Sequence, residues 1–260
     1  LGLIGASICL AARNYGAAES VAGYDVSADV RARAVALGLG DITETAAEAV
    51  AGADLVILAV PVGAVGLVAE AIATHLAAGA TVSDTGSVKE SILRDVAPHL
   101  PKGVHLVPSH PVAGTEFSGP DAGFAGLFEK RWCILTPAEG TDSIAVARVV
   151  AFWRCLGSNT EVMGAAHHDR VLAITSHLPH LIAYNIVRTA EDLETVTETE
   201  VFKYSAGGFR DFTRIAASDP VMWRDVFLNN KDAVLEMLGR FTEDLSALQR
   251  AIRWGDAETL

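Results

Sequence analysis

The sequence has no run of basic residues. Lys and Arg number 20 against 32 Asp and Glu, for a formal net charge of −12 and a pI near 5.0. An acidic chain without a basic face repels phosphate backbones, which argues against a nucleic-acid binder. Cysteine is scarce too. Cys9, Cys133 and Cys155 stand far apart with no CxxC, so neither a disulfide framework nor a zinc knuckle is encoded. They read as small buried hydrophobes in a reducing cytosol. The most apolar stretch, Leu55 to Ala69, falls short of the ~18 residues of a membrane span and is broken by Pro61 and Gly63. No positively charged stretch precedes an apolar one at the N-terminus, as a signal peptide would require. The expected location is therefore cytoplasmic, with no membrane and no nucleic-acid partner.

Half of the 260 residues are hydrophobic, 20% are charged and the mean hydropathy is +0.31. That composition belongs to a folded chain with a sizeable core. The first part alternates strand and helix patterns. Val21 to Tyr24, Leu55 to Ala59, Thr81 to Ser83 and His105 to Val107 read as strands, short and bounded by Gly, Asp or Pro. Ile4 to Tyr15, Ala28 to Leu37, Ala64 to His75 and Val88 to Leu100 read as helices, and Trp132 to Leu135, Ser143 to Leu156 and Thr160 to Val162 continue as strand, helix, strand. Such alternation with apolar strands predicts a doubly wound α/β parallel sheet covered on both faces. After Met163 strand signals fade. His168 to Arg188, Glu191 to Tyr204, Val221 to Leu228 and Lys231 to Arg253 read as helices, the last with Val234, Leu235, Leu238, Phe241, Leu245 and Leu248 on one face. Two domains are expected, 1–163 and 164–260.

The chain opens Leu1-Gly2-Leu3-Ile4-Gly5, the last part of G-x-G-x-x-G, with the first glycine and its strand expected upstream of Leu1. Gly2 would let backbone approach a pyrophosphate, and Gly5 would let the helix pack on the sheet. The helix start, including Leu3 and Ile4, offers N–H groups to the anion. Asp25 stands 20 residues beyond Gly5, after the predicted second strand, where an acid binds the adenosine ribose and repels a 2′-phosphate. The expected cofactor is NAD in a Rossmann-type domain. Val60 and Pro61 end another strand and border the same crevice. Asp25 also reads as a helix N-cap, and Ser87 with Glu90 as a capping box.

His110 lies between Ser109 and Pro111 after a predicted strand, held rigidly and aimed at the crevice, where a neutral imidazole can take a hydroxyl proton. His167, His168, His177 and His180 crowd one stretch. Pro179 and the lack of nearby carboxylate ligands favour pocket lining over a metal site, so no metal is expected. Arg210 and Arg214 follow Gly207-Gly208, and an arginine fork there could grip a carboxylate.

The segments GLIGAS, LAVPV, DTGSVK, SHPVAGTE, HDRVLAITSHLPH and GGFRDFTRIAASDPVMWRD, in this order, resemble the prephenate/arogenate dehydrogenase family of tyrosine biosynthesis, which includes cyclohexadienyl dehydrogenases. The likeness spans essentially the whole chain; Val112, where many members carry Met, is a small departure. It implies a Rossmann-type sheet followed by an all-α helical dimerisation domain, a homodimer, and NAD-dependent oxidative decarboxylation of prephenate and/or arogenate. By this resemblance His110 accepts the hydrogen bond of the ring hydroxyl, and Ser87, beside the cofactor, orients that hydroxyl or His110. Arg214 holds a substrate carboxylate, and His180 contacts substrate. His168 guards the pocket entrance, Thr115 and Glu116 line the site, and Trp223 reaches the second subunit's pocket. Two other readings remain. A β-hydroxyacid dehydrogenase would need a catalytic lysine in the helical domain, where Lys203 and Lys231 sit in no such motif. A non-catalytic NAD-sensing module would lack His110 or Arg214.

Overall fold

The computed structural model describes residues 1–115, 117–194 and 203–260. Two compact units form: Leu1–Asp169 with Pro220–Asn229, and Arg170–Asp219 with Asn230–Leu260.

The first unit is the α/β body. Its helices start where side chains satisfy the unpaired backbone N–H groups. In α2 (Ala28–Ala36) the N-cap Ser27 accepts from the Val30 amide. In α3 (Ala46–Val50) Thr45 and Glu48 form a reciprocal capping box. In α6 (Ser143–Cys155) Asp142 accepts from the amides of Ile144 and Ala145. The remaining helices here are α1 (Leu3–Asn14), α4 (Val65–Ile72) and α5 (Glu90–Val96), with α7 (Ala165–Leu172) at the end of the segment.

Strands β1 (Ala22–Gly23) and β2 (Asp41–Ile42) pair in parallel. So do β3 (Leu55–Leu58), β4 (Thr81–Asp84) and β5 (His105–Leu106), in that order. The third sheet is mixed: β6 (Ser109–Pro111) runs antiparallel to β7 (Trp132–Leu135), which is parallel to β8 (Asn159–Val162). The sequence pattern showed neither β2 nor β6, since two or three residues carry no periodicity and Pro111 discourages a strand assignment. All four residues of β4 are buried. Against the sheet lies a core of Ile8, Ala11, Val107, Phe128, Trp153 and Leu156, with Phe128 edge-on to Trp153 at 5.2 Å.

Two glycines permit this packing. A Cβ on Gly40, at φ +142°, would sit 2.4 Å from the Val21 carbonyl oxygen. One on Gly123 would sit 2.6 Å from the Ala6 Cβ, so the 120s loop closes on α1 only without a side chain.

The second unit is helical. Where the sequence suggests one helix from His168 to Arg188, α7 gives way to a π-helical turn, Ala173–His177, before α8 (Leu178–Glu194). Pro179 has no N–H for the Thr175 carbonyl, and the preceding turn widens. Then come α9 (Gly207–Thr213) and α11 (Lys231–Trp254), with α10 (Pro220–Asn229) joining the first unit. The expected helix Glu191 to Tyr204 falls partly outside the described residues. Ala173, Leu178, Val234 and Met237 form this unit's core, with Leu238 and Phe241 packed against it. Leu235, Leu245, Leu248, Ile252 and Trp254 of α11 remain exposed. Among the described residues no helix is long and apolar enough to cross a membrane.

Candidate active site

Strand β4 delivers Asp84 to the end of the sheet, and β6 brings Ser109 and His110 beside it. The Asp84 carboxylate accepts from the amides of Gly86 (2.7 Å) and Ser109 (3.2 Å) and from the Lys89 ammonium. Lys89 also donates to the Ser109 carbonyl at 2.8 Å. The Ser109 hydroxyl donates to the Asp84 carbonyl at 2.7 Å and receives the Trp153 indole N–H at 3.1 Å. Both members of the ion pair are buried, Lys89 at 0% and Asp84 at 1% exposure. Burial pushes the Lys89 ammonium down and the Asp84 carboxyl up, toward neutrality, while their mutual attraction opposes this. Every polar atom of this pair has a partner within reach, which is what makes a buried charge pair tolerable.

His110 is 8% exposed, and its Nδ1 lies 2.9 Å from Nε2 of a fully buried His168. The two rings meet edge to face at 5.1 Å. On its other side His168 places Nδ1 2.7 Å from Oδ1 of Asp169. Burial lowers the pKa of His168, and the Asp169 carboxylate works against that shift. The expectation put His168 at a pocket entrance; its imidazole instead links His110 to a carboxylate.

Asp169 does a second thing. Its two oxygens accept the amides of Lys89 (2.7 Å) and Glu90 (2.9 Å), capping α5 from outside the helix. The Ser87–Glu90 capping box therefore does not form: α5 starts at Glu90, with no cap from its own N-cap side chain. Ser87 lies half-buried in the bend between β4 and α5.

The first helix, α1, begins on Gly2, which is extended (φ −75°, ψ −162°). No side chain caps this helix start and no acid lies in its first turn. A Cβ on Gly2 would meet nothing within 4 Å, whereas one on Gly5 would touch the Ala59 Cβ at 3.5 Å. Leu3 and Ile4 form the first turn, half-buried. Asp25 follows β1, and its Oδ1 accepts the Ser27 amide at 2.9 Å. The N-cap of α2 is Ser27, so the capping alternative for Asp25 falls away. Val60 and Pro61 follow β3, Pro61 leading into a 3₁₀ turn. An uncapped helix start with open space at Gly2 and a carboxylate at the neighbouring strand end fit the pyrophosphate and ribose of NAD.

The other expected residues stand as follows. Thr115 is exposed, its hydroxyl accepting the Phe117 amide at 3.3 Å. Glu116 lies outside the described residues. Trp223, expected to reach a partner's pocket, is buried in its own chain at 7% exposure and stacks against Phe227 at 5.6 Å. In the helical unit, His180 bonds the Ser176 carbonyl through Nδ1 at 2.9 Å, and burial lowers its pKa. Arg214 is exposed and opens the 3₁₀ turn Arg214–Ala217. Among the described residues no three His, Cys, Asp or Glu are grouped to hold a metal ion.

Sequence reasoning assigned nothing to Asp84, Lys89, Ser109 or Asp169. A signal was there: DTGSVK sets an acid and a lysine five positions apart around the end of an apolar strand, and an ion pair at such a place is buried.

Comparison with known proteins covers the whole length. Residues 8–162 match the family model described as prephenate dehydrogenase, nucleotide-binding domain, and residues 164–260 the one described as prephenate dehydrogenase, dimerization domain. The cyclohexadienyl dehydrogenase of Zymomonas mobilis is 47% identical, over 100% of this chain and 89% of that protein. Prephenate dehydrogenase from Aquifex aeolicus, in complex with hydroxyphenyl propionate and NAD+, superposes with a TM-score of 0.91 at 36% identity, covering 99% of this chain and 90% of that one. Synechocystis arogenate dehydrogenase gives 0.82 at 25% identity, covering 99% and 91%.

Proposed function

The chain belongs to the prephenate dehydrogenase family, and on that premise we propose how its residues carry out the NAD-dependent oxidative decarboxylation of prephenate, arogenate or both. The observation that carries the reading is the buried His110 imidazole in β6, its Nδ1 held 2.9 Å from Nε2 of the buried His168. NAD+, when bound, supplies the hydride acceptor. Gly2, Leu3, Ile4 and Gly5 hold its pyrophosphate, Asp25 its adenosine ribose, and Val60, Pro61 and Ser87 border it. His110 accepts the hydrogen bond of the ring hydroxyl and draws its proton as that carbon is oxidised. The bond to the ring carboxylate breaks, its electron pair enters the ring, and CO₂ leaves. The ring becomes aromatic, and the proton returns to the phenolic oxygen. The products are 4-hydroxyphenylpyruvate from prephenate and tyrosine from arogenate.

Ser87 orients the hydroxyl or His110. Arg214 grips a substrate carboxylate, supported by the bidentate chemistry of guanidinium in an acidic protein. His180 and Thr115 contact substrate. The domain matched at 164–260 and the exposed Leu235, Leu245, Leu248, Ile252 and Trp254 of α11 support a homodimer. Three free thiols, Cys9, Cys133 and Cys155, suit the cytoplasm.

NADH formation with NAD+ and each substrate in turn, NADP+ serving as control, tests the reading. Turnover with either substrate supports it, and NAD+ binding without turnover of either refutes it. Arg214→Ala is expected to raise the substrate KM while leaving the NAD+ KM near wild type; equal changes would remove the assignment. Light scattering should give twice the chain mass, and a monomer would contradict the dimer.

A further inference from the structure

We propose that Asp169 and His168 are positioning residues that decide which nitrogen of His110 carries its proton. The inference rests on His110 being the group that receives the hydroxyl proton.

The argument starts at the far end of the chain of contacts. Asp169 Oδ1 receives the Lys89 amide at 2.7 Å and faces His168 Nδ1 at the same distance, while Oδ2 receives the Glu90 amide at 2.9 Å. An ionised carboxylate only accepts, so His168 Nδ1 must carry a proton. A neutral imidazole has one proton, and burial favours the neutral ring. His168 Nε2 is then an acceptor. The nitrogen 2.9 Å away, His110 Nδ1, must in turn be the donor. The single proton of neutral His110 is therefore on Nδ1, and Nε2 holds the lone pair. The reverse order would aim the His168 Nδ1 lone pair at a carboxylate in a buried site. Two imidazoles in series transmit the sense of one carboxylate to the reacting atom. The same carboxylate anchors the first amides of α5, so the bend that carries Ser87 and the protonation state of His110 share one support. Among the described residues, Asp169, Lys89, Asp84 and His110 are the charged and titratable groups that act on His168.

Asp169→Ala tests this in the full-length protein. Asp169 Oδ1 both accepts the Lys89 amide and faces His168 Nδ1, so an Asn could keep its carbonyl there and the wild-type proton order with it, whereas Ala removes the acceptor. The His168 proton is then no longer held on Nδ1 by a carboxylate, and the preference at His110 is lost. The first readout is the imidazole ¹⁵N spectrum of histidine-labelled protein, which separates Nδ1–H from Nε2–H tautomers whatever the substrate. Wild type should show His110 protonated on Nδ1, and Asp169→Ala should lose that preference. The second is kinetic: kcat should fall roughly a hundredfold or more, the range for removing the carboxylate partner of a functional histidine. The NAD+ dissociation constant should hold. Loss of the negative charge that favours the imidazolium should also move the acid limb of the kcat profile to lower pH. His168→Gln provides the rescue, since its amide donates to Asp169 and accepts from His110 in the wild-type sense. It should retain far more kcat than His168→Leu. A folded Asp169→Ala protein with wild-type tautomer, kcat and acid limb would overturn the proposal. So would equal losses in His168→Gln and His168→Leu. If wild type turned over neither substrate, the proposed reaction would fall while the ¹⁵N spectra still decided the tautomer question.

Discussion

The two regions of the first unit proposed for chemistry are built on opposite plans. At the start of α1 the protein offers backbone and empty space: Gly2 with nothing within 4 Å of a would-be Cβ, and a helix terminus with no side-chain cap. Where β4 and β6 end, it offers side chains already committed to one another, with Asp84, Lys89, Ser109, His110, His168 and Asp169 bonded in a buried network. A cofactor's anion needs room and unspent N–H groups, and rigid polar groups there would compete for it. A proton acceptor needs a fixed direction, which only satisfied neighbours give. The first region presents a helix start with no side-chain cap, and the second a closed set of side-chain bonds.

Substitutions can break or sharpen this contrast. The largest effect belongs to His110→Asn, expected to lower kcat about 10²–10⁴-fold, the span of general acid–base contributions, with little change in either KM. Steady-state kinetics would show it, and a surviving kcat would strip His110 of its role. Next is Lys89→Met. It leaves a buried carboxylate without its counter-charge and should cost about 3–5 kcal/mol in chemical denaturation. Adding Asp84→Asn should recover part of that loss, and additive losses would mean the pair is not coupled. At the cofactor end Gly2→Ala should leave thermal stability unchanged, because its Cβ meets no atom. It should weaken NAD+ by roughly tenfold, or about 1.4 kcal/mol, if the space belongs to a pyrophosphate. A drop in Tm with unchanged NAD+ binding would reverse the reading. The smallest shift is expected for Asp25→Ser, a gain of a few-fold, under about 1 kcal/mol, in NADP+ use relative to NAD+. Unchanged preference would remove Asp25 from ribose recognition.

The same contrast explains what the sequence disclosed. The signal at Gly2, Gly5 and Asp25 is local spacing along one β-α-β path, and the alternating fold and its helical continuation were readable for the same reason. The other end is assembled across the chain: Asp84 meets Ser109, His110 meets His168, and Lys89 meets Asp169. No window of sequence contains both partners of the last two. A local rule misled at Ser87, where a well-formed capping pattern lost to a carboxylate that only the fold supplies. The family resemblance gave His168 only a rim position, and its contact with His110, 58 residues away, is visible only once the chain packs. The π turn at Ala173–His177 left its trace only in Pro179.

The cap of α5 has a consequence for how the protein assembles. Asp169 is separated from Lys89 by 80 residues, so this helix begins without its anchor and receives it only when a distant segment arrives. Closing a loop of that length costs chain entropy before any contact repays it. In a pulsed hydrogen-exchange experiment the Lys89 and Glu90 amides should gain protection late, together with those of α7. The ribosome imposes the same order: until the chain has been made beyond Asp169, the helix that follows β4 waits with its start frayed.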